Sequence, residues 1–287
     1  MSDEIIFKIG CDPEVFFTKR GKFQSAAGVI PGDKHSPHEV LNGAIQVDGL
    51  AAEFNTNPCT LYTPRKYRYY ADDEAFNQRV LGVLSNIRQR ANEAGYNISQ
   101  ESFAEFDREY YDSLPEDTKE LGCDPDFNAY TGEMNEIDRN PELETCRGAA
   151  GHIHIGWGDD IPVDHPDHLT ICRDAVRALD RWVGLSLIAH GDTDIRRRRC
   201  YGKAGAFRPK SYGVEYRSPS NWWIWNQKRR KLVFNYAWKC MKDLSSVRYF
   251  EQVSDEDVQQ VMNDELVDSE TRKSLATQYL NRMGVYL

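Results

Sequence analysis

Apolar and polar residues alternate one by one along Gly151-His152-Ile153-His154-Ile155-Gly156-Trp157. A period of two predicts a strand, with His152 and His154 on one face, Ile153 and Ile155 on the other, and glycines at both ends where the backbone turns or is approached closely. The same spacing recurs elsewhere. Residues 5–9 predict a strand entering Gly10-Cys11-Asp12-Pro13-Glu14, and Val15 to Thr18 continue extended to a turn at Lys19-Arg20-Gly21-Lys22, an opening hairpin. Asp12 and Glu14 have two readings there: Asp-Pro opens many turns, whereas an extended backbone puts both carboxylates on one face. Residues 45–58 predict two strands around an Asp48-Gly49 turn, with Glu53 and Asn55 sharing a face. Tyr212 to Arg217 predicts a further strand, with Glu215 and Arg217 on one side.

Helical spacing takes over between these strands. Phe76, Val80, Val83, Leu84, Ile87 and Ala91 form a core stripe on a helix that follows Thr63-Pro64, an N-cap with proline at the first helical position, and ends near Gly95. A second helix starts at Asp164 or Pro166 and runs to about His190, burying Leu169, Cys172, Val176, Leu179 and Val183. Ser220 predicts a cap for a helix through Trp238, and two short helices follow, one capped by Ser254 with Asp257 three residues on. Residues 99–118 read as a polar connecting insert, 127–147 as loop, and Gly28 to Pro37 as a surface loop. No linker-like tract divides the chain. The expectation is a single α+β domain over residues 1–287, with a core over about 5–245 and a helical appendage over about 246–287.

Composition narrows the class. With 40% hydrophobic and 28% charged residues the chain reads as a soluble globular protein, and no apolar run approaches the roughly 20 residues of a membrane helix. The start, Met1-Ser2-Asp3-Glu4, is acidic rather than basic-then-apolar, so a cytoplasmic protein with no membrane partner is expected. Seven scattered cysteines without a C-x-x-C pair point to reduced thiols. A net charge of −9 argues against nucleic acid as a partner, which leaves Arg196-Arg197-Arg198-Arg199 as a local cluster that is either solvated, partner-facing or turned toward a nucleotide.

Charge on the strands then raises the question of chemistry. A carboxylate such as Glu53, between apolar neighbours on a central hairpin, either pairs with something or binds a cation. An isolated H-x-H is often no more than two exposed or hydrogen-bonded histidines. Folded into one antiparallel sheet, however, Asp12/Glu14, Glu53/Asn55, His152/His154 and Glu215/Arg217 would line a single concave face. That face is dominated by hard oxygen ligands, which suit Mg2+ or Mn2+, whereas zinc prefers more nitrogen or sulfur. Arg208, Lys210 and Arg217, with the Gly-rich stretch of residues 201–210, add the positive charge and close backbone approach that phosphate needs.

Four motifs in order, Gly-x-Asp-x-Glu at 10–14, Asp-Gly-x-x-x-Glu-Phe-x-x-Asn-Pro at 48–58, Gly-His-x-His-x-Gly at 151–156 and Arg-Pro-x-x-Tyr-Gly-x-Glu-Tyr-Arg at 208–217, resemble those of the phage-type carboxylate–amine ligases. These are amidoligases of the glutamine synthetase and glutamate–cysteine ligase superfamily, and the resemblance spans roughly residues 5–225. It implies a curved antiparallel sheet that forms a funnel with flanking helices, two or three Mg2+ (or Mn2+) ions and ATP. It also implies an ADP-forming reaction in which a substrate carboxylate takes the γ-phosphate and an amine then displaces phosphate from the acyl phosphate. By the same resemblance Glu14, Glu53, Asp12 and one of His152 and His154 are metal ligands; of the catalytic residues, Glu215 holds a metal or orients the amine, and Arg208 and Arg217 hold phosphate or the substrate carboxylate. ATP is expected against Arg208, Lys210, Lys203 and Asn55, beneath candidate lids at 28–38 and 196–210. The substrates implied are a small-molecule or peptide carboxylate and an amine, in the host cytoplasm if the protein is phage-encoded. Superfamily members commonly open with Glu-x-Glu; here the shorter Asp12 holds the first place. The string Gly122-Cys123-Asp124-Pro125-Asp126 repeats residues 10–14 outside the common core and either serves the amine or is structural.

Two rivals belong to other classes. One is a zinc-dependent hydrolase holding its metal with His152 and His154, which leaves the arginine-rich loop idle. The other is a non-catalytic ATP-binding or interaction protein that keeps the fold, favoured by the arginine run and opposed by the acidic total.

Overall fold

The computed structural model describes residues 6–62, 72–119, 126–135, 143–244 and 252–286. The expected helix start at Thr63-Pro64 and the Gly122 to Pro125 part of the repeat lie outside the described residues. The first half of the chain is strand-rich: β1 (Phe7–Val15), β2 (Phe17–Lys19), β3 (Lys22–Gln24), β4 (Gly32–Asp33), β5 (Ser36–Val40), β6 (Gly43–Asp48), β7 (Ala51–Thr56) and β8 (Cys59–Tyr62). Shorter strands β9 (Asn97–Ile98), β10 (Phe103–Glu105), β11 (Phe127–Asn128) and β12 (Cys146–Gly148) precede β13 (Gly151–Gly156), β14 (Ala206–Lys210) and β15 (Gly213–Tyr216). Ten of these make one large sheet in the order β11-β14-β15-β13-β1-β7-β6-β5-β4, with β8 also on β1. Its strands pair antiparallel.

The opening hairpin is displaced from its expected place. β1 runs extended through Asp12-Pro13, pairing Asp12 with His152 and Pro13 with Gly151, so of the two readings the extended one holds. The reason lies in which edge lacks a donor. Successive N–H groups point to opposite edges of a strand. The Glu14 N–H donates to Ala150 O on the β13 side, whereas the Cys11 N–H faces the other way and donates to the Thr56 hydroxyl rather than to a strand. The missing N–H of Pro13 falls on that second edge, where the ladder already has a gap. The hairpin forms farther on, between β2 and β3.

Because β1, β13 and β15 alternate, their apolar residues fall on one face. Ile9, Cys11, Val15, Ile153, Ile155, Val214 and Tyr216 are buried there with Ile45, Phe54 and Phe207. The helices Asp73–Glu93, Pro166–Leu179 and Gln227–Asp243 pack against this sheet. The first is capped by Asp72, which accepts from the Ala75 N–H, and buries all six residues of its predicted stripe. The second continues through a π-helical turn, Asp180–Gly184, into Leu185–His190. Ser220 caps something shorter than expected: it accepts from the Trp222 N–H at the head of a single 3-10 turn, Asn221–Trp225, and the regular helix begins at Gln227 behind an Asn226 cap. The short turn lets Trp223 go to the core and donate its indole N–H to Gly151 O at 2.9 Å. The helices Asp255–Asn263 and Ser269–Arg282 pack on Leu185–His190, and Asp255 accepts from Arg177 (2.6 Å) and Arg181 (2.7 Å). No helix among the described residues is long and apolar enough to cross a membrane.

Gly151 shows how tightly β13 is seated. A Cβ there would meet the Ser220 carbonyl and the Trp223 indole nitrogen, backbone and core that have no room to shift. Gly151→Ala is therefore expected to destabilise the fold by about 1–3 kcal/mol, read as a lower urea midpoint with an unchanged denaturant slope; an unaltered midpoint would mean that the strand is seated more loosely.

Candidate functional site

Register carries the polar residues of separate strands onto the face opposite the helices. Across the sheet, Arg208 of β14 pairs with Glu215 of β15, Glu215 with His154 of β13, His152 with Asp12 of β1, Glu14 with Glu53 of β7, and Glu53 with Gln46 of β6. Two groups of three potential metal ligands result, Asp12/His154/Glu215 and Glu14/Asp48/Glu53, each with its donor atoms within 4.8 Å of one another.

In the first group Asp12 Oδ1 lies 3.0 Å from His154 Nε2 and 3.4 Å from His152 Nδ1. Burial alone would raise the Asp12 carboxyl, but the charge and hydrogen bonding of the two imidazoles outweigh it and hold it well below the usual range. Glu215 is buried beside Asp12, both of which push its carboxyl up; Arg217, His152 and His154 push harder and bring it down to about 2. Lys210 Nζ sits 2.7 Å from its Oε2 and Arg208 Nη1 3.7 Å from its Oε1, the oxygen that also accepts from Arg217 Nη1. The two histidines differ. His154 is oriented by the Tyr212 hydroxyl at Nδ1, which turns Nε2 toward Asp12, and that carboxylate raises its pKa against the effect of burial. His152 is lowered to about 4, by burial and then by the Arg217 guanidinium 3.4 Å from its Nδ1. Among the described residues it is His154, not His152, that falls in the three-ligand group.

In the second group Glu14 and Glu53 are met by neutral donors, and Asp48 faces the charge of Lys34. Glu14 Oε2 accepts from the Tyr201 hydroxyl (2.8 Å) and the Ala150 N–H (2.9 Å), and Glu53 Oε2 accepts from Gln46 Nε2 (3.1 Å). Burial and the charge of Asp48 push Glu14 up to about 7. Glu53 is raised well above the usual range, by burial and then by Asp12, Asp48 and Glu14, and Asp48 is raised by burial.

Of the residues expected from sequence, Asp12, Glu14, Glu53, His152, His154, Arg208, Lys210, Glu215 and Arg217 come together on this face. Asn55 lies two residues beyond Glu53 on β7, on the same side of the strand; the Lys203 side chain is exposed, and its carbonyl accepts from Ser218 Oγ at 2.9 Å and from the Ala206 N–H at 3.1 Å. The two central members of the arginine run depart from the readings of it. Arg197, 1% exposed, donates to the carbonyls of Ala149, Ser218 and Arg217, and buried Arg198 donates to those of Gly202 and Ser218, so these cations brace backbone instead of facing solvent or a nucleotide. The expected lid segment 196–210 holds a short helix, Arg196–Cys200, and strand β14. Arg196 is the exposed member and pairs with Asp194 at 2.8 Å; the side chain of Arg199 lies outside the described residues.

Three contributors were missed, and a fourth, Asp126, belongs to the repeated string for which a substrate role and a structural one were both open. Asp48 read only as a turn former, although hairpin register pairs Gln46 with Glu53 and so puts Asp48 on the same face. Tyr201 touches Glu14, lies edge-on to His152 at 6.0 Å and sits under Arg197 and Arg217; nothing in local pattern marks it. Asp126, the last residue of the repeated string, accepts from Arg217 Nε at 2.9 Å and from Asn135 Nδ2 at 2.7 Å. Asp180, in the π turn, accepts from the hydroxyls of Tyr130, Tyr216 and Ser218 and from the Gly205 N–H, so it pins both the loop before β14 and the end of β15.

Residues 148–261 match the family described as Phage phiEco32-like COOH.NH2 ligase-type 2. The resemblance drawn from the motifs is thus shown over the segment that holds His152, His154, Arg208, Lys210, Glu215 and Arg217, while Asp12, Glu14, Asp48 and Glu53 precede it. Comparison with curated proteins finds no match. Among solved structures the chain is similar to one described as "Crystal structure of novel glutamine synthase homolog", at 12% identity and a TM-score of 0.40, covering 97% of this chain and 66% of that one. The chain therefore spans just under two thirds of that structure's length.

Two outcomes follow from the geometry. Arg197→Ala removes three buried bonds from a cation and strands their carbonyls, so it is expected to cost at least about 3 kcal/mol in chemical denaturation, against about 0.5 kcal/mol or less for exposed Arg196→Ala; equal effects would mean that Arg197 braces nothing. The second concerns pH. A carboxyl whose folded pKa is raised contributes its stability fully below the ordinary carboxylate range and loses it as pH rises through the folded value, which is about 7 for Glu14, with Glu53 acting in the same direction. In EDTA the melting temperature is expected to fall between about pH 5 and pH 8, and Glu53→Gln to flatten that fall; a level profile in the wild type would contradict the crowding.

Proposed function

We propose that the protein is an ATP-dependent carboxylate–amine ligase that works with Mg2+ or Mn2+ and forms an amide through an acyl phosphate, releasing ADP. One observation supports it above others: a single sheet face sets two groups of cation ligands beside Arg208, Lys210 and Arg217, and the half of that face with the arginines lies in the segment matching a family named for carboxylate–amine ligation. The donor set fits a hard divalent cation. Five of the six grouped ligands are carboxylates and one is an imidazole, and Asp12 Oδ1 and His154 Nε2, buried 3.0 Å apart, make no well-aligned hydrogen bond.

When bound, the cations would neutralise charge and the nucleotide would supply a transferable γ-phosphoryl group. The chain's own residues do the positioning. Glu14, Asp48 and Glu53 would hold one cation, and Asp12, His154 and Glu215 another, with Tyr212 fixing the imidazole and Tyr201 leaving one Glu14 oxygen uncommitted. Arg217, held by Asp126, and Arg208 would meet the phosphoryl oxygens or the substrate carboxylate as charge-assisted donors. The substrates we propose are a small-molecule or peptide carboxylate and an amine, bound where a curved sheet forms a funnel; closure by residues 28–38 would keep water from the acyl phosphate.

The test is oxygen transfer. Purified protein with Mg2+ and ATP is screened for ADP release against paired acids and amines, and the active pair is repeated with heavy oxygen in the carboxylate. Amide, ADP and phosphate carrying one labelled oxygen per amide are expected, and Glu53→Gln should abolish all three. AMP with pyrophosphate would point to an acyl adenylate instead, and unlabelled phosphate during confirmed amide synthesis would remove the acyl-phosphate route.

A further inference from the structure

Glu215 is 1% exposed, and its two oxygens are held from different sides. Oε1 accepts from Arg217 Nη1 and lies 3.7 Å from Arg208 Nη1; Oε2 pairs with Lys210 Nζ at 2.7 Å. These cations are not equally free to move. Arg217 is 2% exposed, its Nε is tied to Asp126 at 2.9 Å, and its ring-facing side lies over Tyr201. Lys210 is the last residue of β14, its side chain is 33% exposed, and its ammonium rides on a flexible four-carbon stem that reaches solvent without disturbing the strand. A cation held jointly by Asp12, His154 and Glu215 needs a lone pair on Glu215, and the one that can be vacated without breaking a buried ion pair is on Oε2.

We propose that Lys210 is a built-in counter-ion for Glu215 which a divalent cation displaces, sending the ammonium to the open side of the site where it meets an anionic group of the nucleotide or substrate. The inference rests on the divalent-cation part of the proposed function, not on ligation itself. It gives Lys210 two alternating partners: Glu215 before loading, a phosphate or carboxylate after it. It also accounts for a lysine rather than an arginine at this position, since a single compact charge is more easily exchanged than a planar fork bound through several donors.

The experiment needs no substrate. Mn2+ binding to the full chain is measured by electron paramagnetic resonance without nucleotide, for wild type, Lys210→Met and, as a charge control, Lys228→Met, whose exposed side chain lies on the Gln227–Asp243 helix. Lys210→Met is expected to tighten binding by about tenfold, and Lys228→Met to change it less than about twofold. In parallel, amine acetylation of the wild type is read by mass spectrometry with and without Mg2+: labelling of Lys210 is expected to rise several-fold with the cation while that of Lys228 stays level. Unchanged Mn2+ affinity in Lys210→Met, or Lys210 labelling that stays level or falls with Mg2+, overturns the displacement while leaving the cation sites standing. No Mn2+ binding by any of the three proteins overturns the cation sites themselves and the displacement with them.

Discussion

Like charges buried side by side repel. Two carboxylates about 4 Å apart in partly screened protein cost about 4 kcal/mol, and the face of this sheet groups five of them. The sheet cannot relieve that repulsion by splaying, because its other face is packed against helices and a slip by one residue would exchange Ile153 and Ile155 for His152 and His154 in the core. The charges must be answered where they stand. Asp12 and Glu215 are answered by the cations Arg217, Lys210 and Arg208 and by the two imidazoles beside them, and both carboxyls are held low. Glu14 and Glu53 are met by the neutral donors Gln46, Tyr201 and the Ala150 amide, Asp48 has the charge of Lys34 set against its burial, and there the carboxyls rise toward retaining protons. One face thus contains two halves in opposite states of charge compensation.

Much of the remaining structure keeps those compensating groups still. Arg197 ties the carbonyls of Ala149, Arg217 and Ser218 together, which joins the segment bearing Arg217 to the short link between β12 and β13. Asp180 reaches the same segment from the core side through Tyr216, Ser218 and Gly205. Arg217 therefore leaves a backbone clamped from two directions, and its guanidinium is aimed before any ligand arrives, the arrangement that lowers the ordering cost of binding an anion.

What the sequence made legible follows from the range of its signals. Period-two alternation is local, and it placed His152/His154, Asp12/Glu14 and Glu215/Arg217 correctly on their strands. The stripe from Phe76 to Ala91 was equally plain, being three-dimensional information written at helical spacing. Contacts between distant segments carry no such mark. Tyr201 is 187 residues from Glu14, and Asp126 is 91 from Arg217, so neither pattern nor spacing could pair them. The arginine run misled for a related reason: four consecutive charges read as surface, yet on a helix they point in different directions, and here the second and third turn inward to carbonyls that no local rule locates. Ser220 was recognised as a cap, but the length of what it capped was decided by where Trp223 fits in the core.

The aspartate at position 12 fits the same electrostatic logic. Its register partner is His152, and His154 stands two residues along β13, so both imidazoles lean toward the one carboxylate from the neighbouring strand. With a single methylene the carboxylate stops between them, Oδ1 lying 3.4 Å from one ring and 3.0 Å from the other. Asp12 therefore stays within the group that His154 and Glu215 complete, held by two imidazoles of the adjacent strand.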